Sequence, residues 1–251
     1  MPNRPIGFFD SGLGGISVLK YAKQIMPCEN FIYFGDSANA PYGTKTNEQV
    51  FALVNEAVDN LLAQNIKALV LACNTATSVT VEYLRKTKNI PIISMEPAIK
   101  PALNETDGNI LLLATEVTIA STRVQELIKK YDTNSRVIAV PSHYLAEKIE
   151  KSFFENNDLD NYLNELLLPY KDKNITAIVL GCTHYPFVAE KIASYFKNAR
   201  VYDGILGTVT HLKNVLEEQN LLNSHGGDVK ILSSDKDMIE KYLFLFNGGK
   251  L

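Results

Sequence analysis

Short apolar runs alternate with stretches of helical spacing along the whole chain. Residues 5–9 predict a strand, Asp10-Ser11-Gly12-Leu13-Gly14-Gly15 a loop, and residues 16–25 a helix. Residues 31–34 predict a second strand, closed by Gly35-Asp36-Ser37, and residues 39–43 a turn-rich loop. Apolar positions near i, i+3, i+4 and i+7 predict a helix over 47–64. A strand at 68–71, a helix at 79–87 and a strand at 91–94 follow. The pattern then restarts. Strands are predicted at 109–114, 136–140, 177–180 and around Val201, and helices at 122–131, 144–153, 159–169 and 187–195. A helix at 206–219, a strand at 230–233 and a helix at 235–245 close the chain. Such alternation predicts an α/β protein with parallel sheets and helices on both faces. The restart divides it into a first lobe of residues 1–96 plus 208–251 and a second lobe of residues 97–207. The crossover is placed near residues 95–101 and the return near residue 207.

One element occurs twice. Residues 66–79 read IKALVLACNTATSV and residues 175–188 read ITAIVLGCTHYPFV. At an offset of 109 positions, Ile66, Ala68, Val70, Leu71, Cys73 and Val79 meet Ile175, Ala177, Val179, Leu180, Cys182 and Val188. Each copy is a short buried-strand run that stops at a cysteine followed by polar side chains. In open α/β sheets ligands bind at the carboxyl ends of the strands, so the repeat points to two thiols facing one cleft.

Composition narrows the setting. Of 251 residues, 46% are hydrophobic and 21% charged, as in soluble globular proteins, and the net charge of −3 offers no bulk field for nucleic acid or anionic membrane. Three cysteines without a CxxC suggest neither a disulfide scaffold nor a zinc knuckle. The start MPNRPIGFFD lacks a signal peptide's apolar core, and the apolar runs are far short of the ~20 residues that span a bilayer. A reduced, cytoplasmic protein is expected.

The two cysteines carry the candidate chemistry. A thiolate can take a proton from carbon, and two thiols on opposite faces of one carbon permit removal on one face and delivery on the other. That inverts a stereocentre and needs no cofactor in principle. Asp10 ends a strand, where it either orients or exchanges protons beside Cys73 or caps the following helix. The glycines after it let backbone amides approach an anion. Asp36 ends a strand and is expected to face the same cleft, next to the rigid Pro41-Tyr42-Gly43 turn. His184, two residues after Cys182, is placed to exchange protons there or to keep the thiol ionised. Thr115 and Thr118 are candidate cleft hydroxyls. Cys28, His143, His211 and His225 belong to no recognisable constellation.

The segments IGFFDSGLGG (6–15), YFGDSANAPYGTKT (33–46), ACNTAT (72–77) and LGCTHYPF (180–187) together closely resemble the glutamate racemases of the aspartate/glutamate racemase superfamily. The resemblance runs in order across most of the chain. It implies two flavodoxin-like lobes related by a pseudo-twofold, with the active site in the cleft between them. It implies cofactor-independent interconversion of L- and D-glutamate for peptidoglycan synthesis, with no cofactor and no metal, and a homodimer. Cys73 and Cys182 would be the acid/base thiols, one for each enantiomer, with Asp10 and His184 in support. Asp10, Ser11, Tyr42, Gly43, Asn74, Thr75, Thr183 and His184 would bind the amino acid. Two departures stand out. Where the family often has Ala-Cys-Pro, this chain reads Ala139-Val140-Pro141, and Glu147 and Glu150 are the candidates for the family's auxiliary glutamate. Tyr202-Asp203-Gly204 replaces the usual Asp-Ser pair. The competing readings are an aspartate racemase, a metal site built from Cys73, Cys182, His184 and Asp36, and a glutamate-binding protein without turnover. Structural zinc sites usually bring their cysteines closer in sequence than these.

Overall fold

The computed structural model describes residues 2–153 and 158–249; Met1, residues 154–157 and residues 250–251, at the ends of the first-lobe assignment and within the second, lie outside them. The first half contains β1 (Ile6–Asp10), α1 (Ile16–Ile25), β2 (Phe31–Gly35), α2 (Asn47–Ala63), β3 (Ala68–Leu71), α3 (Asn74–Thr87) and β4 (Ile92–Ser94). After α4 (Ile99–Glu105) come β5 (Asn109–Ala114), α5 (Glu116–Ala120), α6 (Thr122–Tyr131), β6 (Val137–Pro141), α7 (Leu145–Ser152), α8 (Leu159–Leu167), β7 (Ile175–Gly181), α9 (Ala189–Ala193) and β8 (Arg200–Asp203). The chain ends with α10 (Ile205–Glu218), β9 (Val229–Ser233) and α11 (Ile239–Phe246).

The strands form two all-parallel sheets, ordered β4-β3-β1-β2-β9 and β6-β5-β7-β8. Written from the other edge, the second order is β8-β7-β5-β6, which matches β4-β3-β1-β2 strand for strand. The sequence repeat is therefore a repeat of the sheet, with β3 and β7 equivalent. Ile6 pairs with Ala68 and Ile110 with Ala177, so β1 and β5 also occupy equivalent places.

Each sheet is buried on both faces, because successive side chains of a strand point to opposite sides. On β3, Ala68 and Val70 join the core beneath α1, α10 and α11, whereas Leu69 and Leu71 join the core beneath α2 and α3. On β7, Ile178 and Leu180 pack towards α7, α8 and α9, whereas Ala177 and Val179 pack towards α4 and α6. β9 pairs in parallel with β2, so the last strand of the chain lies on the first sheet. The buried Lys67–Glu29 ion pair anchors this return. Lys67 also donates to the carbonyls of Pro2 and Leu221, and Glu29 accepts from the Asn223 amide at 2.7 Å.

Several elements differ from the pattern reading. The helix expected at 79–87 begins at Asn74, because Cys73 itself is its N-cap and the small polar residues after it fill the first turn. The helices α4 and α5 are too short, at 7 and 5 residues, to show a period. The helix expected at 187–195 splits into a 3-10 turn over Tyr185–Val188, opened by Pro186, and the short α9.

Candidate active site

The glycine loop after β1 is the floor of the site, and close packing explains its composition. A Cβ at Gly14 would lie 2.3 Å from Thr183 Oγ1 and 2.7 Å from His184 Nδ1, so only hydrogen fits where the loop of one lobe meets the Cys182 turn of the other. A Cβ at Gly12 would press on the Glu150 carboxylate at 3.2 Å. Tyr33 on β2 braces the loop by donating to the Gly12 carbonyl at 2.6 Å.

Cys73 ends β3 at the N-terminus of α3. Its sulfur accepts from the Ala76 amide at 3.5 Å and lies 3.4 Å from Ser11 Oγ. Burial pushes the thiol up to about 12, and the nearby Asp10 charge pushes the same way, against the Ser11 and Ala76 hydrogen bonds. At neutral pH this group is a thiol and hence an acid. Asp10 is fully buried. Its Oδ1 accepts from the Gly12 amide and its Oδ2 from Thr183 Oγ1 in the other lobe, both at 3.0 Å. Burial raises its carboxyl to about 6, with His184 and these donors pulling it back.

Cys182 follows β7 and is partly exposed. Its sulfur lies 3.8 Å from His184 Nδ1, which is also 3.5 Å from Thr183 Oγ1. His184 Nε2 faces Glu150 Oε2 at 3.7 Å, an ionic contact too long for a hydrogen bond. Burial works to lower the imidazole's pKa, but the Cys182 sulfur and the Glu150 carboxylate outweigh it and raise the group well above its ordinary value. A cationic ring at this place is a counter-charge for a thiolate on Cys182.

Both thiols line one cavity between the lobes, with about 630 Å³ of atom-free space, its opening included. Of the residues singled out in the sequence, Ser11, Tyr42, Gly43, Asn74, Thr75, Thr115, Glu147, Glu150, Thr183 and His184 also line it. Asn74 is buried, and both its amide atoms lack a partner among the described residues, which leaves a donor and an acceptor for a polar guest. Three candidates lie behind the wall. Asp10 sits beneath Ser11. Asp36 accepts from Tyr42 Oη at 2.6 Å and Asn39 Nδ2 at 3.0 Å, so it orients the phenol and does not reach the cavity. Thr118 donates nothing to the space itself but closes a hydroxyl cluster, with Thr75 2.9 Å from Thr115 and 3.4 Å from Thr118. Sequence reasoning missed the rim formed by Ser142, His143 and Tyr144. Tyr144 there adopts a left-handed backbone, φ 58°, and His143 Nδ1 stands 3.7 Å from Glu116 Oε2. No residue pattern marks such a rim, because it is made by a loop between β6 and α7. Among the described residues no three His, Cys, Asp or Glu side chains converge as a set of metal ligands. No helix among them is long and apolar enough to cross a membrane.

A family model described as Asp/Glu/Hydantoin racemase matches residues 17–212. The glutamate racemase of Clostridium botulinum (strain Alaska E43 / Type E3) is 47% identical over 245 residues, covering 95% of each chain. The crystal structure of glutamate racemase from Francisella tularensis subsp. tularensis SCHU S4 in complex with D-glutamate superposes with a TM-score of 0.86 at 31% identity, covering 100% of this chain and 96% of that one. The Escherichia coli glutamate racemase in complex with L-glutamate and the activator UDP-MurNAc-ala gives 0.85 at 26% identity, covering 97% and 95%.

Proposed function

The chain belongs to the Asp/Glu/Hydantoin racemase family, and from that premise we propose that it interconverts L- and D-glutamate by two-thiol proton transfer. One observation carries the mechanism: Cys73 and Cys182, at the ends of equivalent strands, line the same cavity. A Cys182 thiolate takes the α-hydrogen as a proton from one face of the substrate. The electron pair left on carbon takes a proton from the Cys73 thiol on the opposite face, so one S–H bond forms and the other breaks. Reversing the roles carries the opposite enantiomer. The α-hydrogen of an amino acid is weakly acidic, so the developing enolate-like charge needs preorganised donors. Ser11, Asn74, Thr75 and Thr183 supply them around the thiols.

Glutamate as substrate is supported by the names of the relatives and by the D-glutamate held in the Francisella protein. The same reading carries cofactor independence, supply of D-glutamate for peptidoglycan, a cytoplasmic location, a homodimer and the lobe division at residues 96/97 and 207/208. The test is incubation with L-glutamate in D2O, following the α-proton by NMR together with optical rotation, with aspartate run in parallel. Loss of both signals with glutamate is expected. Loss of the α-proton with rotation kept means exchange on one face and overturns the two-thiol assignment. If neither amino acid changes, the racemase reading fails and that of a glutamate-binding protein without turnover takes its place.

A further inference from the structure

The two half-sites are connected by one hydroxyl. Thr183 Oγ1 lies 3.0 Å from Asp10 Oδ2 in the first lobe and 3.5 Å from His184 Nδ1 in the second. Asp10 is electrostatically coupled to Cys73, and His184 Nδ1 lies 3.8 Å from the Cys182 sulfur. A hydroxyl carries one proton and two lone pairs, so it can accept on one side while it donates on the other.

After a turnover in which Cys182 is the base, Cys73 is a thiolate beside the Asp10 carboxylate, and Cys182 is a thiol beside an imidazolium. Both pairings are unfavourable. The two half-sites need opposite charge settings in the two directions of reaction.

We propose that Thr183 is a positioning residue that relays one proton between His184 and Asp10 and so switches which thiol is the base. In the relay the Nδ1–H bond of His184 breaks as its proton passes to Thr183 Oγ1, and the Thr183 O–H bond breaks as that proton passes to Asp10 Oδ2. The proton count of the site is unchanged. The product is a neutral imidazole beside the Cys182 thiol and a protonated Asp10 beside the Cys73 thiolate. The reverse relay restores an imidazolium beside a Cys182 thiolate and a carboxylate beside the Cys73 thiol.

The surroundings fit. Asp10 is faced by Cys73, Tyr33 on β2, Tyr42, Tyr242 on α11 and His184; His184 is faced by Cys182, Glu150 on α7 and Asp10. Asp10 is raised to about 6, so its protonated form is within reach at neutral pH. The absence of a side chain at Gly14 lets the Thr183 turn pack closely against the loop that carries Asp10.

This inference rests on the racemase reading for its kinetic consequence but has a readout that does not. In the substrate-free protein labelled with 15N-histidine, the His184 ring signal, assigned by its loss in His184→Asn, should step with the Asp10 titration in wild type and in Thr183→Ser. That step should vanish in Asp10→Asn and persist in Thr183→Val, because His184 and Asp10 also interact through space. Proton exchange at His184, read as 15N relaxation dispersion near the Asp10 titration, should slow about tenfold in Thr183→Val and recover in Thr183→Ser. Kinetically, loss of the relay slows the reset of free enzyme in addition to removing a donor, so kcat of Thr183→Val should fall about tenfold further than kcat/KM, and Thr183→Ser should recover both. Proton exchange at His184 as fast in Thr183→Val as in wild type, or a step absent from wild type, overturns the relay. So does a raised KM with kcat kept, which marks Thr183 as a substrate contact alone. Wild-type protein inert towards glutamate overturns the racemase reading instead, and the NMR titration then still decides the relay.

Discussion

The Cys73 and Cys182 half-sites share a backbone and differ in chemistry. Through the pairing of β1 with β3 and of β5 with β7, Asp10 takes the place that Ala114 takes in the second lobe. At the 109-residue offset, His184 takes the place of Thr75. One thiol therefore has a carboxylate at the end of the neighbouring strand, and the other has an imidazole in its own turn. The cross-lobe contacts are displaced by one position between the halves: Thr183 reaches Asp10, whereas Thr75, the equivalent of His184, reaches Thr115, the equivalent of Ser11. A duplicated scaffold supplies matching positions for two thiols, and unequal neighbours put a carboxylate near one sulfur and an imidazole near the other. Two identical half-sites would put the same charge beside both sulfurs.

The largest effect should come from removing a thiol. Cys73→Ala and Cys182→Ala should each lower racemisation by at least ~10³-fold. Each variant should still exchange the α-proton slowly in D2O from the one enantiomer whose hydrogen faces the surviving thiol. Equal loss of exchange from both enantiomers in both variants would show that the half-sites do not act separately.

The lobes differ in support as well. Lys67, paired with Glu29 and two carbonyls beneath the first sheet, is matched at the 109-residue offset by Thr176, which accepts from the Gly108 amide at 3.0 Å. Lys67→Met should lower unfolding free energy by about 3–5 kcal/mol by leaving Glu29 buried without its cation. The double change with Glu29→Leu should recover much of this. Denaturant midpoints decide, and a single-variant cost below ~1 kcal/mol would make the pair incidental.

Asp10→Asn sharpens the electrostatic contrast. The carboxyl is raised from 3.8 to about 6 in the folded protein, so the native state binds its proton more tightly than the unfolded chain does. That contribution to stability is fully present below about pH 4 and is lost as pH rises through about 6. At pH 7–8 the variant should be more stable than wild type by about 2–3 kcal/mol, the difference closing below pH 4, while its racemisation falls. A constant difference across pH would contradict the raised value.

The smallest effect serves as a control on the first lobe. Thr46 caps α2 in a reciprocal box, with the Gln49 amide donating to Thr46 Oγ1 at 3.3 Å and the Thr46 amide to Gln49 Oε1 at 3.0 Å. Thr46→Ala should cost about 1 kcal/mol, read as a melting shift of about 2–4 °C, with turnover unchanged.

Much of this was legible in the chain because it is written in local order. Apolar runs of strand length, helical spacing and a doubled strand-cysteine turn are local patterns, and burial on both faces of a parallel sheet turns them into continuous hydrophobic runs. By itself the sequence thus determined the α/β class, the two thiols at strand ends and the candidates beside them. Tertiary structure alone decided which candidates reach the cavity. Asp36 and Thr118 end behind Tyr42 and Thr115, whereas Ser142, His143 and Tyr144 reach it from a loop that carries no motif. It also decided that Gly14 must admit Thr183 and that Asp10 hydrogen-bonds 173 positions along the chain. Spacing along a strand or helix fixes only which side chains share a face. Contacts between lobes depend on how two separately folded sheets dock, and their energies come from groups that local sequence does not bring together.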